Sequence, residues 1–349
     1  GLALAAASGP VAVGDIAGAV LRRPSLVPWR ALRAAGMRGV SYLEFFAIGK
    51  PMDRALDALR DVVAEAGDVA GGAALGLQPH APNTVARRGY LEAVSLAAAR
   101  GLRLSTHLAE TPEERAFVQA ASGPQRSMLE QLGIWSDDIL DDIGRGRHPV
   151  QHLADILAAA PVLAAHVNDA DDAAIETLAA TGASVAYCPH ASEYFGAAVH
   201  FGPHRYRDMI AAGVNVAIGT DSIVNLPPGT DGQGELSVLA EIRRLYRRDG
   251  ADPVMLLRMA TVNGARALGL PMGPFAFTVG GPVAGLLAIE VGQGEVDGGR
   301  AALAAAIGTD SRPEVLFADN HSGLAGILPG LARAAPTLPR VGDRGSAAS

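Results

Sequence analysis

Apolar residues recur along the chain in two alternating rhythms. Short runs rich in Val, Leu, Ile and Ala occupy residues 11–18 (VAVGDIAG), 40–49 (VSYLEFFAIG), 73–82 (AALGLQPHAP), 102–110 (LRLSTHLAE), 162–169 (VLAAHVND), 183–192 (ASVAYCPHAS) and 214–222 (VNVAIGTDS). Their near-continuous hydrophobicity is that of strands covered on both faces, as in a parallel sheet. Between them lie stretches with helical spacing, including LVPWRALRAAG, MDRALDALRDVVAEAG, VARRGYLEAVSLAAARG, DDAAIETLAATG and HRYRDMIAAG, several closed by a glycine placed as a C-cap. Repeated strand-helix units predict an α/β chain, either a (β/α) barrel or a doubly wound sheet.

The polar residues decide between the two. Asp15, Glu44, His80, His107 with Glu110, His166, His190 and Asp221 fall at the carboxyl ends of the seven runs, the rim on which barrel enzymes build their sites. A doubly wound sheet would instead carry a glycine-rich phosphate turn after its first strand, and none is present. The expectation is a (β/α)8 TIM-type barrel over residues 1–272. A closed barrel of this type has eight strands against seven runs here, so a first strand is expected to be missing ahead of the opening helix. Residues 277–292 (FTVGGPVAGLLAIEVG) read as strands of a small β-domain spanning 273–330, and 331–349 as a loose tail.

Composition narrows the function classes. The 349 residues are 49% hydrophobic with a net charge of −7 and interspersed signs, so no basic patch follows a phosphate backbone and nucleic acid is not expected as a partner. A single cysteine, Cys188, excludes a disulfide framework and thiol-rich zinc sites, including the Cys-x-x-Cys half-site of the nucleobase deaminases. It fits a reducing cytoplasm. No apolar run spans a bilayer, and GLALAAASGP lacks the basic start of a signal peptide, reading as a truncated helix.

His107 ends its strand and Glu110 follows after the turn, so both can face one pocket as metal ligand and carboxylate; the alternative is a core histidine beside a helix-start glutamate. Asp221, on the same rim, adds an oxygen donor suited to zinc or iron. His166 is the only titratable group of its apolar run. His80 sits between two prolines, as a structural turn or a substrate contact. His148 and His152, in the polar connection HPVQH, read as surface, and His321 has no context. Cys188 with His190 lacks an orienting acid for nucleophilic catalysis. Glu44 and Glu110 as a glycosidase pair would leave the rim histidines and Asp221 without a role. In FGPHRYRDM, His204, Arg205 and Arg207 offer cations for a ribose or carboxylate group, or simply begin a solvated helix.

Taken in order, QPHAPNT, STHLAET, AAHVND, AYCPHAS, IGTDS and ATVNGARALG resemble the amidohydrolase superfamily, in its deaminase and chlorohydrolase branch of S-adenosylhomocysteine, methylthioadenosine, guanine and aminodeoxyfutalosine deaminases. The resemblance runs over about residues 11–292. It implies one divalent metal ion, usually zinc or iron, with His107 and Asp221 as ligands and Asp221 also taking a proton from the metal-bound water. Glu110 would protonate the substrate ring, His166 would orient the water, and His80 would contact substrate, with Glu44, His190 and Arg205 as further contacts. The implied partner is a small heterocyclic substrate, and a homo-oligomer is plausible for the family. The implied reaction is hydrolytic deamination of an aminated purine nucleoside, with hydrolytic dechlorination or a non-catalytic barrel as alternatives. Two departures stand out: the superfamily's His-x-His pair of further ligands is absent from residues 1–349, and His190 stands where this branch often has arginine.

Overall fold

The computed structural model describes residues 2–18, 23–67, 72–225, 236–276, 278–291, 299–311 and 313–318. All seven apolar runs form strands: β1 Ala12–Ala17, β2 Arg38–Phe45, β3 Ala74–Pro79, β4 Arg103–Leu108, β5 Val162–His166, β6 Ser184–Tyr187 and β7 Asn215–Ile218. They pair in parallel in sequence order, β1 to β7, with helices in the connections, which is the (β/α) barrel architecture. Among the described residues β1 and β7 pair on one side only, so the barrel sheet is open between them.

Alternation along β2 shows how the layers divide. Val40 and Tyr42 point to the barrel interior, where they meet Leu163 and Leu268. Leu43 and Phe45 point outward into the main core, against Trp29, Leu56 and Leu59 of the helices Val27–Ala34 and Met52–Glu65. The main core is therefore the layer between sheet and helices, and the barrel axis is left for the site. Gly39 lets β1 and β2 approach: its φ is +123°, and a Cβ there would sit 1.8 Å from the Val13 carbonyl oxygen.

In the segment 277–292 the structure is more broken than its sequence pattern. Among its described residues only Gly285–Ala288 (β8) forms a strand, pairing antiparallel with Glu314–Ala318 (β9) across the helix Gly299–Gly308. Gly280, Gly281 and Pro282 interrupt the apolar run, and the chain turns there, which ends its strand character. Position 277, residue 292, His321 and the tail 331–349 lie outside the described residues.

Candidate active site

Strand alternation selects what faces the interior. On β4, Ser105 and His107 line the central cavity, while Thr106 points outward to Tyr90, whose hydroxyl lies 2.8 Å away. On β5, Leu163 and Ala165 line the same cavity, and alternation alone would turn His166 outward with Ala164. His166 lines the cavity nonetheless, because its φ is +70° and that of Val167 is +52°, so the chain swings back across the rim. The cavity measures about 1350 Å3, and Glu44, His107, His166, Cys188 and Asp221 stand along it.

The rim imidazoles are close. The ring centroids of His80 and His107 are 4.9 Å apart, and those of His107 and His166, stacked, 5.4 Å. Their tautomers follow from their partners. A carbonyl can only accept, so His107 Nδ1–H donates to the His80 carbonyl oxygen (3.0 Å) and Nε2 keeps its lone pair, with the Gln78 side-chain amide, 3.3 Å from Nδ1, turning its otherwise unpartnered oxygen towards the same proton. The Thr84 hydroxyl donates to the Ala81 carbonyl oxygen (3.1 Å) and so accepts from His80 Nδ1–H (2.7 Å), which leaves His80 Nε2 bare as well. Ligating atoms of Glu44, His80 and His107 all lie within 4.8 Å of one another. Two imidazole lone pairs and a carboxylate oxygen are the donor chemistry that zinc or iron(II) takes, and the carbonyl behind His107 is the outer partner that orients a ligating ring.

Glu110 Oε1 lies 3.4 Å from His166 Nε2. Burial raises the Glu110 carboxyl, opposed by His107 and assisted by the negative Asp221. Burial lowers His107 and His166, and pushes His80 down to about 3. The rim therefore combines neutral imidazoles with a carboxyl able to hold a proton closer to neutrality. Asp221, with φ +51°, accepts a hydrogen bond from the Asn225 side chain.

Residues 33–276, more than half of the chain, match the Amidohydrolase family. The chain belongs to the amidohydrolase family. Among curated relatives it is 34% identical over 208 residues to the aminodeoxyfutalosine deaminase of Deinococcus radiodurans, covering 57% of this chain and 46% of that one. It is 34% identical over 203 residues to a 5-methylthioadenosine/S-adenosylhomocysteine deaminase of Moorella thermoacetica, covering 56% and 40%. The chain thus matches less than half the length of each of these two relatives. In fold it is similar to the Helicobacter pylori aminofutalosine deaminase, crystallised with methylthio-coformycin, at a TM-score of 0.64 and 20% identity, covering 95% of this chain and 71% of that one.

The other expected site residues of this amidohydrolase divide. His190 is at the site's edge, its Nδ1 2.8 Å from Glu241 Oε1 and its backbone N–H donating to Glu241 Oε2 (3.1 Å). Arg205 stands apart: its guanidinium is bound by Asp172 and Asp208, both at 2.7 Å, and so is committed to neighbouring surface carboxylates instead of a substrate. Cys188 lines the cavity as a thiol, since burial raises it well above its ordinary value. His148 and His152, expected on the surface, are buried at 6% and 4% exposure. Their connection folds under the rim as two short helices, and His148 Nε2 lies 3.3 Å from Asp169 Oδ2.

Two residues that sequence reasoning did not single out, Glu241 and Glu114, support the rim, and so does His204 in a role different from the one read for it. Glu241 is a buried acid on an otherwise amphipathic helix and carries no local signal. Glu114, in Thr111-Pro-Glu-Glu114, has the spacing of a capping box and was legible as such. His204, read above as a ribose or carboxylate cation or a helix start, instead donates from Nε2 to the His166 carbonyl oxygen (2.9 Å) and stacks on Tyr187 at 3.7 Å between centroids.

Proposed function

We propose that this protein is a metal-dependent aminohydrolase that removes the amino group of an aminated purine nucleoside or a related heterocycle. The observation that carries this is the pairing of Glu110 with His166 at 3.4 Å beside His107, in a chain whose curated relatives are named as deaminases of adenosine derivatives. His107 and Asp221 are assigned as protein ligands of one divalent ion, zinc first and iron second. Bound there, the ion supplies Lewis-acid activation of water. Glu110, its carboxyl raised by burial, delivers a proton to the substrate ring nitrogen, while His166 beside it orients the water and the reacting centre. Glu44, His80 and His190 contact the substrate, and Arg205 is withdrawn from that role. Among the described residues β1 and β7 pair on one side only, and both border the cavity. Residues 1–272 are assigned to the barrel unit and 273–330 to a small β-unit. No helix among the described residues is long and apolar enough to cross a membrane, and the single thiol supports a cytoplasmic setting.

Two measurements test this. Elemental analysis is run on residues 1–349 and on a version extended upstream to include any His-x-His pair, with His107→Ala, Asp221→Asn and Glu44→Gln variants. The expected result is about one ion per chain, lost in the first two variants and kept in the third. Loss in Glu44→Gln with retention in Asp221→Asn moves the ligand set to Glu44, His80 and His107. The zinc- or iron-loaded protein is then assayed with adenosines altered at the 5′ position, other aminopurines, and amino- and chlorotriazines. Ammonia release from the purines supports the assignment; chloride release alone replaces it with dechlorination, and neither product from any substrate leaves a binding role.

A further inference from the structure

The turn that presents Glu110 is unfavourable by itself. Ala109 has φ +52°, a left-handed conformation that a non-glycine residue adopts only when its surroundings hold it there. The turn is nonetheless fully bonded. The backbone N–H groups of Ala109 and Glu110 donate to the two oxygens of one carboxylate, Glu114 Oε1 and Oε2, both at 2.8 Å. The Ala109 carbonyl oxygen accepts from the Asp169 N–H at 2.9 Å, and the Glu110 carbonyl oxygen from Asn168 Nδ2 at 3.2 Å. The Asn168 amide is itself oriented, because its Oδ1 accepts from the Ser192 hydroxyl at 2.6 Å. Ala109 and Thr111 lie in the loop after β4, Asn168 in the loop after β5 and Ser192 in the short helix Pro189–Tyr194 after β6, so the bonds tie together the segments that follow three neighbouring strands.

Glu114 is more than a helix cap. Thr111 and Glu114 have the capping-box spacing, and the Thr111 hydroxyl accepts from the Glu114 N–H at 3.2 Å as that motif requires. In the usual box the glutamate reaches back to the backbone N–H of the cap residue. Here it reaches past Thr111 to the two preceding residues, one of them Glu110. Its side chain is 2% exposed, and burial pushes its carboxyl up to about 8 against the two backbone N–H groups that favour the ionised form, a position that a surface capping glutamate would not occupy.

We infer that Glu114 is a positioning residue for Glu110: it clamps both amides of the left-handed turn, while Asn168, set by Ser192, holds the Glu110 carbonyl from the neighbouring loop. The inference rests on the deaminase reading for the role of Glu110, and on the hydrogen bonds alone for the clamp. Glu114→Gln keeps the shape but turns one acceptor into a donor facing an N–H. Asn168→Ala releases the turn from its other side without touching Glu114.

The test uses the intact metal-loaded protein and the nucleoside it deaminates fastest. For Glu114→Gln, the expected results are a fall in kcat of about tenfold to a hundredfold with KM within twofold, unchanged metal content, and faster hydrogen exchange of the Ala109 and Glu110 amides. Asn168→Ala is expected to lower kcat in the same way, and it decides the matter if Glu114→Gln does not fold. Wild-type kcat in a folded Glu114→Gln whose two amides exchange faster overturns the positioning role, because the turn is then loosened without consequence. Unchanged exchange overturns the clamp itself. A metal-loaded wild-type protein that releases no ammonia overturns the deaminase reading and this role with it.

Discussion

The chemistry of this amidohydrolase is set residue by residue through burial. Glu110 and His166 sit 3.4 Å apart with opposite displacements, the carboxyl raised and the imidazole lowered, so each is neutral over a wider range than in water. If Glu110 carries the proton as proposed, Glu110→Gln keeps the size and removes the carrier, and kcat for ammonia release is expected to fall by about 10^2 to 10^4 with little change in KM. His204 makes a second residue-scale prediction. Burial holds it down to about 4, against about 6.5 in an unfolded chain. Below pH 6.5 the unfolded state takes up a proton that the native state refuses. Stability from this group is therefore whole above pH 6.5 and is lost as pH falls to about 4, at up to about 1.4 kcal/mol per pH unit. His204→Phe keeps the stack on Tyr187 but leaves the His166 carbonyl oxygen without its donor. It is expected to cost about 1–3 kcal/mol at pH 7 and to flatten the acid side of the stability curve, both read from denaturant unfolding at several pH values.

At the scale of elements, the barrel depends on close strand contact as much as on hydrophobic pattern. Gly39 is where β1 and β2 come together, and a methyl group there would strike the Val13 carbonyl oxygen while holding φ at +123°. Gly39→Ala is expected to destabilise by more than about 2 kcal/mol, seen as a lower Tm, because β1 has no second partner strand among the described residues to hold it in place. The strand runs were legible in the sequence because a strand covered on both faces must be apolar throughout. The helices of the β4 to β5 connection were less so. His148 and His152 lie in a polar stretch that reads as solvent-facing, yet the fold turns it beneath the rim and buries both rings. Local polarity predicts exposure only where no other element covers the segment.

For the whole molecule, the open side of the sheet and the cavity beside it belong together. Glu44, His107, His166 and Asp221 come from strands far apart in the chain and meet only because parallel strands in sequence order put their carboxyl ends on one rim. If an ion links such strands, its removal loosens them together. Chelator treatment of the metal-loaded protein is expected to lower Tm, with a loss of about 3–4 kcal/mol when free metal had stood at a hundred to a thousand times its Kd, and added zinc is expected to restore it. By itself the sequence determined the seven strands, the barrel class and the rim positions of His80, His107, Glu110, His166 and Asp221, since these follow from local apolar runs and from where each run stops. Only the tertiary structure decided that His166 turns inward, that Arg205 is spent on Asp172 and Asp208, and that Glu114, Asn168 and Ser192 hold the Glu110 turn. The Thr111–Glu114 capping spacing and the Arg205–Asp208 pair are local, but the left-handed backbone angles and the bonds of Asn168, Ser192 and Asp172 join segments distant in sequence, and no local pattern of residues encodes those.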